Sequence, residues 1–583
     1  MRGITRRWKQ SDGHQPCDQS SLLERLLAAR GIDLDSAESY LTPSLDQMHD
    51  PEQLPGATEA AGLLVDALRA EQTIAIYGDY DVDGMTATAI LWHVIKAAAP
   101  DADLRSYVPH RLEEGYGLNV EALQQLYADD VDLVITVDCG ITAVEQVEAG
   151  RQMGLSMIIT DHHNLRADGM LPDADAIVHP GLPGSTYPTT ALCGAGVAFK
   201  LAWQFGKAWT GSDRVGPAIR EALKNVMPLV AMGTIADVMP LTDENRILVR
   251  SGLALLGPSE LAGLHQLIET CNLQGSDMNP EAVGFRLAPC LNAAGRMGHA
   301  SDAVELLTTA HDQRAEEIAE ALHALNLKRR DTEKEILEQA IELAEAAGMT
   351  RGSRRAIVLA HPDWHPGVVG IVCSRLVQRF GRPAILMQQV DDVCKGSVRS
   401  IPGYSAHAGL EACSAHLTTF GGHDAAAGLE LDAAELDAFT EAFVAHANAH
   451  ITEEDLVPWL YFDADADLGE ITPENVRELE QMAPFGHGNR RPNLRLQGLR
   501  VEEVKPMGNE SRHLSLKVGG GSATGFVRCV WWNCGEYADR LQRGTVVDLI
   551  ARPKLNTWRD RTTAELELLD LDDHRRGAGD ASS

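Results

Sequence analysis

Three aspartates, Asp79, Asp81 and Asp83, occupy alternate positions just before Gly84 in the stretch GDYDVDGM (78–85). Acids at positions one, three and five with glycine at six is how a calcium-binding EF-hand loop begins. That loop also needs a bidentate glutamate at position twelve, where this chain has Ile90. It needs an entering helix as well, and the preceding TIAIY (73–77) is a short β-branched run that reads as a strand. The calcium loop is excluded. What remains is a carboxylate cluster at the end of a buried strand, opening into a helix over about 83–99.

The same arrangement recurs downstream. LVITV (133–137) is followed by Asp138, and SMIIT (156–160) by Asp161, His162 and His163. Asp237 closes the apolar helical stretch NVMPLVAMGTIADVMP (225–240). A lone acid after a strand is ordinarily a helix cap, and a lone histidine pair ordinarily packs or faces solvent. Acids and imidazoles at successive strand ends point instead to one metal site. An oxygen and nitrogen set without sulfur suits Mn²⁺ or Mg²⁺, and a carboxylate between two ions can bridge them. Two such ions about 3.5–4 Å apart are a standard device for hydrolysing phosphoesters.

The elements that must position these groups follow from periodicity. Between 60 and 240, short apolar runs (73–77, 104–108, 133–137, 156–160 and 176–179) alternate with helical patterns such as 120–128 and 142–153. That alternation predicts a parallel α/β sheet, which binds ligands outside the carboxyl ends of its strands. GAGVAF (194–199) lacks the third glycine of a dinucleotide fingerprint and reads as close helix packing. Helical patterning over 301–349 predicts long connecting helices, and a smaller α/β segment follows. Beyond 456, short strands separated by turns (LYFDADADL, NLRLQGLRVEEVKPM, HLSLKVGG, ATGFVRCVWWN, TVVDLIARPKLNTW, TAELELLDL) predict a small barrel of the OB type. Trp531, Trp532, Trp558, Lys505, Lys554 and Arg559 are its candidates for stacking bases and tracking phosphates, with barrel core as the other reading of each tryptophan.

The fold class is thus α/β, a parallel-sheet catalytic domain followed by a helical connector, a smaller α/β domain and an OB-fold β-barrel. The expected divisions are an N-terminal segment 1–55, the catalytic domain 56–300, the connector 301–352, the second α/β domain 353–450, the barrel 456–572 and a disordered tail 573–583. A chain of 583 residues is long enough for three or four domains. The formal net charge of −33 at first argues against a nucleic-acid partner. Acid concentrated on solvated helices can coexist with local basic stretches, however, such as RGSRR (351–355) and GNRRPNLRLQGLR (488–500). No charge-free apolar run is long enough to span a membrane. Basic residues at the N-terminus have no apolar core behind them, which argues against a signal peptide. Ten scattered cysteines with no CxxC pair and no zinc spacing read as reduced cytosolic thiols, hence a cytoplasmic protein.

Taken in order, GDYDVDG, TVDCG, TDHH and IADVMPL resemble the DHH phosphoesterase superfamily, named for its Asp-His-His triplet. LCGAGVAFKL (192–201), APCLNAAGRMG (288–298), WHPGVVGIVCSRL (364–376), KGSVRSIPGY (395–404) and FGGHDAAAG (420–428) resemble its bacterial RecJ branch, over about 70–500. The resemblance implies a 5′→3′ exonuclease specific for single-stranded DNA, releasing 5′-mononucleotides and acting in recombination and repair. It implies Asp79, Asp81, Asp138, His162 and Asp237 as ligands of two Mn²⁺ or Mg²⁺ ions, with Asp138 bridging. His163 would face the scissile phosphate, and Asp161 would orient the neighbouring imidazole. Asp83 is expected to be a helix N-cap rather than a ligand. Ser397, Arg399 and His423, in the domain resembling the family's DHHA1 domain, would hold the nucleotide at the 5′ end, with Asn292 and Arg296 reaching the same strand. Gly421 and Gly422 either let backbone approach that phosphate or form an ordinary tight turn. Lys505 and Trp558 are the barrel's DNA-binding candidates. Single-strand-binding protein and a RecQ-type helicase are implied partners, and the chain is expected to be a monomer. Two alternatives stay open: a DHH phosphodiesterase for short oligonucleotides or cyclic dinucleotides, and an inactive single-strand-binding scaffold.

Overall fold

The computed structural model describes residues 3–11, 20–111, 113–351, 354–520, 525–559 and 561–574. Most of the expected tail, 575–583, lies outside the described residues, as do Gly352 and Ser353 of the basic stretch. Packing divides the chain into two units, one of residues 44–335 with 484–489 and one of residues 1–43, 336–483 and 490–583. The stretch 1–55 is therefore shared between the two units.

The first unit is built on a five-stranded sheet in the order Leu104–Tyr107, Ile74–Gly78, Leu133–Val137, Ser156–Thr160, Ala176–Val178. Every pairing is parallel. Ile74–Gly78 and Leu133–Val137 are buried along their whole length, which is why they read as continuous apolar runs rather than alternating ones. The register sets Gly78 beside Val137 and Val137 beside Thr160. Asp79, Asp138 and Asp161, one residue further on, therefore emerge along one edge.

The helix Val82–Ala98 is buried on nearly all sides and packs against the helices Gly194–Thr210 and Met227–Ala236. A closed ion pair helps hold this helical layer: Lys200 Nζ lies 2.7 Å from Glu244 Oε2, and both side chains are fully buried. Tyr187 OH donates to the other oxygen of Glu244. Ala315, Ile318, Ala319 and Leu322, from the start of the helix Asp312–Ala346, belong to the core of this unit.

In the second unit, Ile336, Ala340 and Ala344 from the end of that helix pack with fully buried Trp364. Its indole N–H donates to Gln339 Oε1 at 3.0 Å. A five-stranded sheet follows in the order Thr419–Gly422, Ala426–Asp432, Val393–Arg399, Ala384–Val390, Ile357–His361, parallel only between its last two strands. The C-terminal strands then close on themselves. Leu494–Met507 pairs with His513–Gly519, which pairs with Phe526–Trp531, which runs parallel to Arg561–Asp572. Arg561–Asp572 pairs with Val546–Trp558, and that strand returns to Leu494–Met507. Five strands closed this way, around Leu496, Leu516, Leu549 and Leu566, form an OB-type barrel.

One predicted barrel strand, LYFDADADL, is split: Ala464–Asp465 joins the barrel sheet in parallel beside Leu494–Arg495, and the residues before it pair elsewhere. Trp459–Phe462, from LYFDADADL, pairs in parallel with Arg7–Gln10 at the N-terminus, where Trp8 Nε1 donates to Asp570 Oδ2 at 2.9 Å. Trp531 is 2% exposed and stacks on Tyr537, so it is barrel core and not a groove residue.

Candidate metal centre and nucleic-acid interface

Strand-end geometry delivers the acids, and small residues let them close in. Asp138 follows its strand in the left-handed region, φ 63°, a backbone cost found where a site over-determines the conformation. A Cβ at Gly194 would stand 2.6 Å from Asp138 Oδ1, and one at Gly233 would stand 2.5 Å from Asp83 Oδ1. One at Gly84 would stand 2.5 Å from the Asp79 amide nitrogen. Glycine at these three positions is a condition of the site's compactness. Gly194, read from the sequence as a helix-packing residue, borders the site directly.

Three overlapping groups of ligand atoms result, one of them Asp138, His162 and His163. Asp79, Asp81 and Asp138 offer oxygens all within 4.8 Å of one another, and Asp83, His162 and Asp237 form a second such set. His162 Nε2 joins them, 3.1 Å from Asp138 Oδ1 and 3.7 Å from both Asp83 Oδ2 and Asp237 Oδ2. Asp79 Oδ1, Asp138 Oδ1 and His162 Nε2 are buried without a hydrogen-bond partner. Orphaned buried oxygens facing an imidazole nitrogen are costly unless a cation lies between them. The donor set is hard oxygen plus one nitrogen, and it fits Mn²⁺ or Mg²⁺.

The electrostatics agree. Burial, then the charge of Asp81, pushes Asp79 up to about 8. Burial, then Asp83 and Asp81, does the same to Asp237, also to about 8. Asp81 and Asp138 are raised by burial and by Asp83 beside them. Burial lowers His162, keeping it neutral with a lone pair to offer. His163 moves the other way. Burial works against its charge, but the hydrogen bond and charge of Asp161 outweigh that and push it up to about 9.

Asp161 is fully occupied within the protein. Its Oδ2 accepts from Ile141 N at 3.0 Å, and its Oδ1 accepts from His162 N and His163 N. His163 Nδ1 lies 2.7 Å from the same Oδ1, and an acceptor-only carboxylate requires a ring N–H there. His163 is thus held by Asp161 with its other face turned outward, its side chain 42% exposed.

Asp83 differs from the sequence reading. The N-cap of the helix Val82–Ala98 is Asp81, whose Oδ1 accepts from Asp83 N at 2.9 Å and Gly84 N at 3.2 Å. Asp83 lies inside the first turn. Its carboxylate accepts from Gly194 N at 2.6 Å and Ala195 N at 2.9 Å, at the start of a different helix. Its remaining lone pairs face His162 and Asp237.

Two further groups escaped the sequence reading. Tyr116 OH donates to Asp138 O at 3.2 Å and lies 3.1 Å from His163 Nδ1. The Arg111 guanidinium stands 4.9 Å from the ring of Tyr80, between the two loop acids. The only sequence signal for Tyr116 is its place between Gly115 and Gly117, both at positive φ.

Asn292 and Arg296 lie on the helix Ala288–Met297, which approaches the acid loop closely enough that a Cβ at Gly295 would stand 2.3 Å from Tyr80 O. In the second unit, Ser397 and Arg399 share the strand Val393–Arg399, and Ser397 faces Gly428 across the sheet. His423 sits at the hairpin joining the next two strands, its N–H donating to Ala426 O. Gly422 there has φ 138°, and a Cβ on it would strike Ala427, so the hairpin itself requires glycine. On the barrel, Trp558 is 72% exposed with Arg559 beside its ring, and Lys554 stands over half-exposed Trp532. Lys505 is ion-paired to Glu503, which also holds Lys517 at 2.6 Å. No helix among the described residues is long and apolar enough to cross a membrane.

Comparison with known proteins places three family models along the chain: the DHH family N-terminal domain over 73–234, the DHHA1 domain over 353–449 and the RecJ OB domain over 462–570. The chain is 36% identical over 552 residues to the single-stranded-DNA-specific exonuclease RecJ of Bacillus subtilis, covering 94% of this chain and 67% of that protein. It resembles the crystal structure of RecJ in complex with Mn²⁺ from Thermus thermophilus, with a TM-score of 0.78 and 33% identity, covering 97% of this chain and 79% of that one. The Mg²⁺ complex from the same organism matches with a TM-score of 0.74 and 32% identity, over 97% and 78%.

Proposed function

The chain belongs to the RecJ family and is a metal-dependent exonuclease of single-stranded DNA, and from that premise we propose how its own residues divide the work. Asp83, His162 and Asp237 would hold one Mn²⁺ or Mg²⁺ ion, and Asp138, 3.1 Å from His162, stands where that set meets the one it shares with Asp79 and Asp81. Divalent ions bound there supply Lewis-acid activation of water and neutralise charge at the phosphodiester. The six residues keep those charges in a buried, rigid pocket where electrostatic stabilisation is strongest. His163, carrying its proton, donates toward the scissile phosphate, and Asp161 fixes the ring that does so. Tyr116, hydrogen-bonded to the Asp138 backbone, borders the same phosphate.

Asn292 and Arg296 contact the terminal nucleotides, and Ser397, Arg399 and His423 hold the 5′ end. Trp558, with Lys505 as an accessory charge, tracks the strand on the barrel. The direction is 5′→3′ and the products are 5′-mononucleotides. The divisions 56–300, 301–352, 353–450 and 456–572 act as catalytic, connecting, 5′-end-binding and strand-binding parts. The protein works as a cytoplasmic monomer in recombination and repair, with single-strand-binding protein and a RecQ-type helicase as partners.

One observation carries this reading: two sets of hard ligand atoms meet at Asp138 and His162, with orphaned buried oxygens between. Its test is degradation of 5′- and 3′-labelled single-stranded and duplex DNA with Mn²⁺, Mg²⁺ or a chelator. Label released first from the 5′ end of single strands, only with metal, is the expected result. Release from the 3′ end, or equal attack on duplex, would overturn the assigned direction and strand preference.

A further inference from the structure

A further cluster of ligand atoms lies apart from the acidic ones and has a different chemistry. Cys271 Sγ and Cys290 Sγ are 3.5 Å apart, and His323 Nδ1 is 3.9 Å from Cys290 Sγ. All three atoms lie within 4.8 Å of one another. Each comes from a different element: Cys271 caps the end of the helix Ala262–Thr270, Cys290 sits in Ala288–Met297 and His323 in Asp312–Ala346. The sequence holds no zinc spacing, because the two cysteines are 19 residues apart and the histidine is a further 33 away; only the fold makes the set.

We propose that Cys271, Cys290 and His323 form a binding site for one soft divalent cation of the Zn²⁺ type, with an open fourth position. Tetrahedral zinc, at about 2.3 Å to sulfur and about 2.0 Å to nitrogen, sets its sulfurs about 3.8 Å apart and each sulfur about 3.5 Å from nitrogen. The observed sulfur–sulfur distance is a few tenths of an ångström below that value and the Cys290 Sγ–His323 Nδ1 distance a few tenths above, while Cys271 Sγ lies within 4.8 Å of His323 Nδ1, so side-chain closure by up to about 1 Å completes the geometry. The surroundings favour bound thiolates. Asn326 Nδ2 donates to Cys290 Sγ at 3.4 Å, the kind of outer hydrogen bond that steadies a metal-bound sulfur. Both cysteines are almost wholly buried, whereas His323 is half-buried and gives the ion a way in.

Both thiols are directed at one carbonyl, Arg286 O, at 3.3 Å from Cys290 Sγ and 3.8 Å from Cys271 Sγ. Binding replaces those weak S–H donors: one cation enters, two thiol protons leave to solvent, and no electron is transferred. The bound ion ties together three elements, one of them the helix carrying Asn292 and Arg296. Its effect is to fix that helix, and it needs no part of the acidic site, whose ligands contain no sulfur.

Cobalt tests this with a readout independent of activity. The 583-residue chain is stripped with chelator, reduced with a phosphine and titrated with Co²⁺. A near-ultraviolet thiolate-to-cobalt charge-transfer band, saturating at one equivalent and abolished by Zn²⁺, is expected. The carboxylate site cannot produce that band. Cys290→Ser and Cys271→Ser should each cut the band at saturation by about half or more and weaken Co²⁺ binding, and His323→Gln should weaken Co²⁺ binding at least about tenfold, since one of three ligands is lost. His323→Gln serves as the arbiter if a cysteine variant does not fold. Absence of the band in the folded, reduced wild type would overturn the proposal, as would an undiminished band in Cys290→Ser or unchanged affinity in His323→Gln. Formation of a Cys271–Cys290 disulfide in air, with no Co²⁺ bound under reductant, would also overturn it.

Discussion

The acidic centre and the C-terminal barrel treat their functional side chains in opposite ways. In the centre, acids are crowded and mostly buried, Asp79 Oδ1 and Asp138 Oδ1 have no hydrogen-bond partner, and glycine at 84, 194 and 233 is what lets them approach. On the barrel, the candidate contacts are exposed, and the charged ones stand beside rings or opposite acids. A metal site must be preorganised at a cost that the ion offsets, so its residues are fixed by backbone. A strand-binding face needs only π-surfaces and charges that water can reach, so its residues are individually replaceable.

That contrast gives the largest effect to Asp138→Ala. Removing the acid between the two ligand sets should cost several kcal/mol of transition-state stabilisation, about a thousandfold or more in kcat, while single-strand affinity stays within a few-fold. Steady-state kinetics beside a binding titration separates the two, and retained hydrolysis would break the contrast at its strongest point. Gly194→Ala comes next. Its added methyl displaces the Asp138 carboxylate, and a shift of about 1 Å at a reacting centre costs about a hundredfold. Circular dichroism of the variant should be unchanged while the rate falls.

Trp558→Ala should have a smaller and different effect. Losing one stacked base is worth about 1–3 kcal/mol, so Kd for long single strands should weaken roughly tenfold, with kcat at saturation preserved. Equal loss on dinucleotides would show that the barrel does more than hold the strand.

The smallest effect is on stability against pH in chelator. Asp79 and Asp237 are raised to about 8 and His163 to about 9, so the folded, metal-free protein keeps protons that an unfolded chain would release. The folded state then binds more protons than the unfolded state, and stability must fall as pH rises. Between pH 7 and 9, the thermal midpoint in chelator should drop by a few degrees. Asp161 and His162, which shift downward, act below that window. Added Mn²⁺ should flatten the slope, because it replaces the protons.

Much of the catalytic unit is readable from sequence because its strands are buried on both faces and each ends in an acid or imidazole. The runs at 74–78, 104–107, 133–137, 156–160 and 176–178 fall within a residue or two of where apolar periodicity puts them. Asp83 shows where that reading stops. Nearest to Gly84, it looks like the cap of its own helix, but the amides it accepts from are 111 and 112 residues away in sequence. Trp531 and Trp532 differ in fate because Trp531 is the last residue of the strand Phe526–Trp531 and faces the barrel core, whereas Trp532 already lies in the turn that follows. Tyr116 lies in a loop with no period to reveal it, and the pairing of Trp459–Phe462 with Arg7–Gln10 depends on a partner about 450 residues away.

The central claim is that two divalent ions sit between two sets of ligands that meet at Asp138. Anomalous scattering at the manganese edge from crystals grown with Mn²⁺ tests it most directly. The account predicts two peaks, one among Asp79, Asp81 and Asp138 and the other among Asp83, His162 and Asp237. A single peak, or a second one out of reach of Asp83, would contradict it.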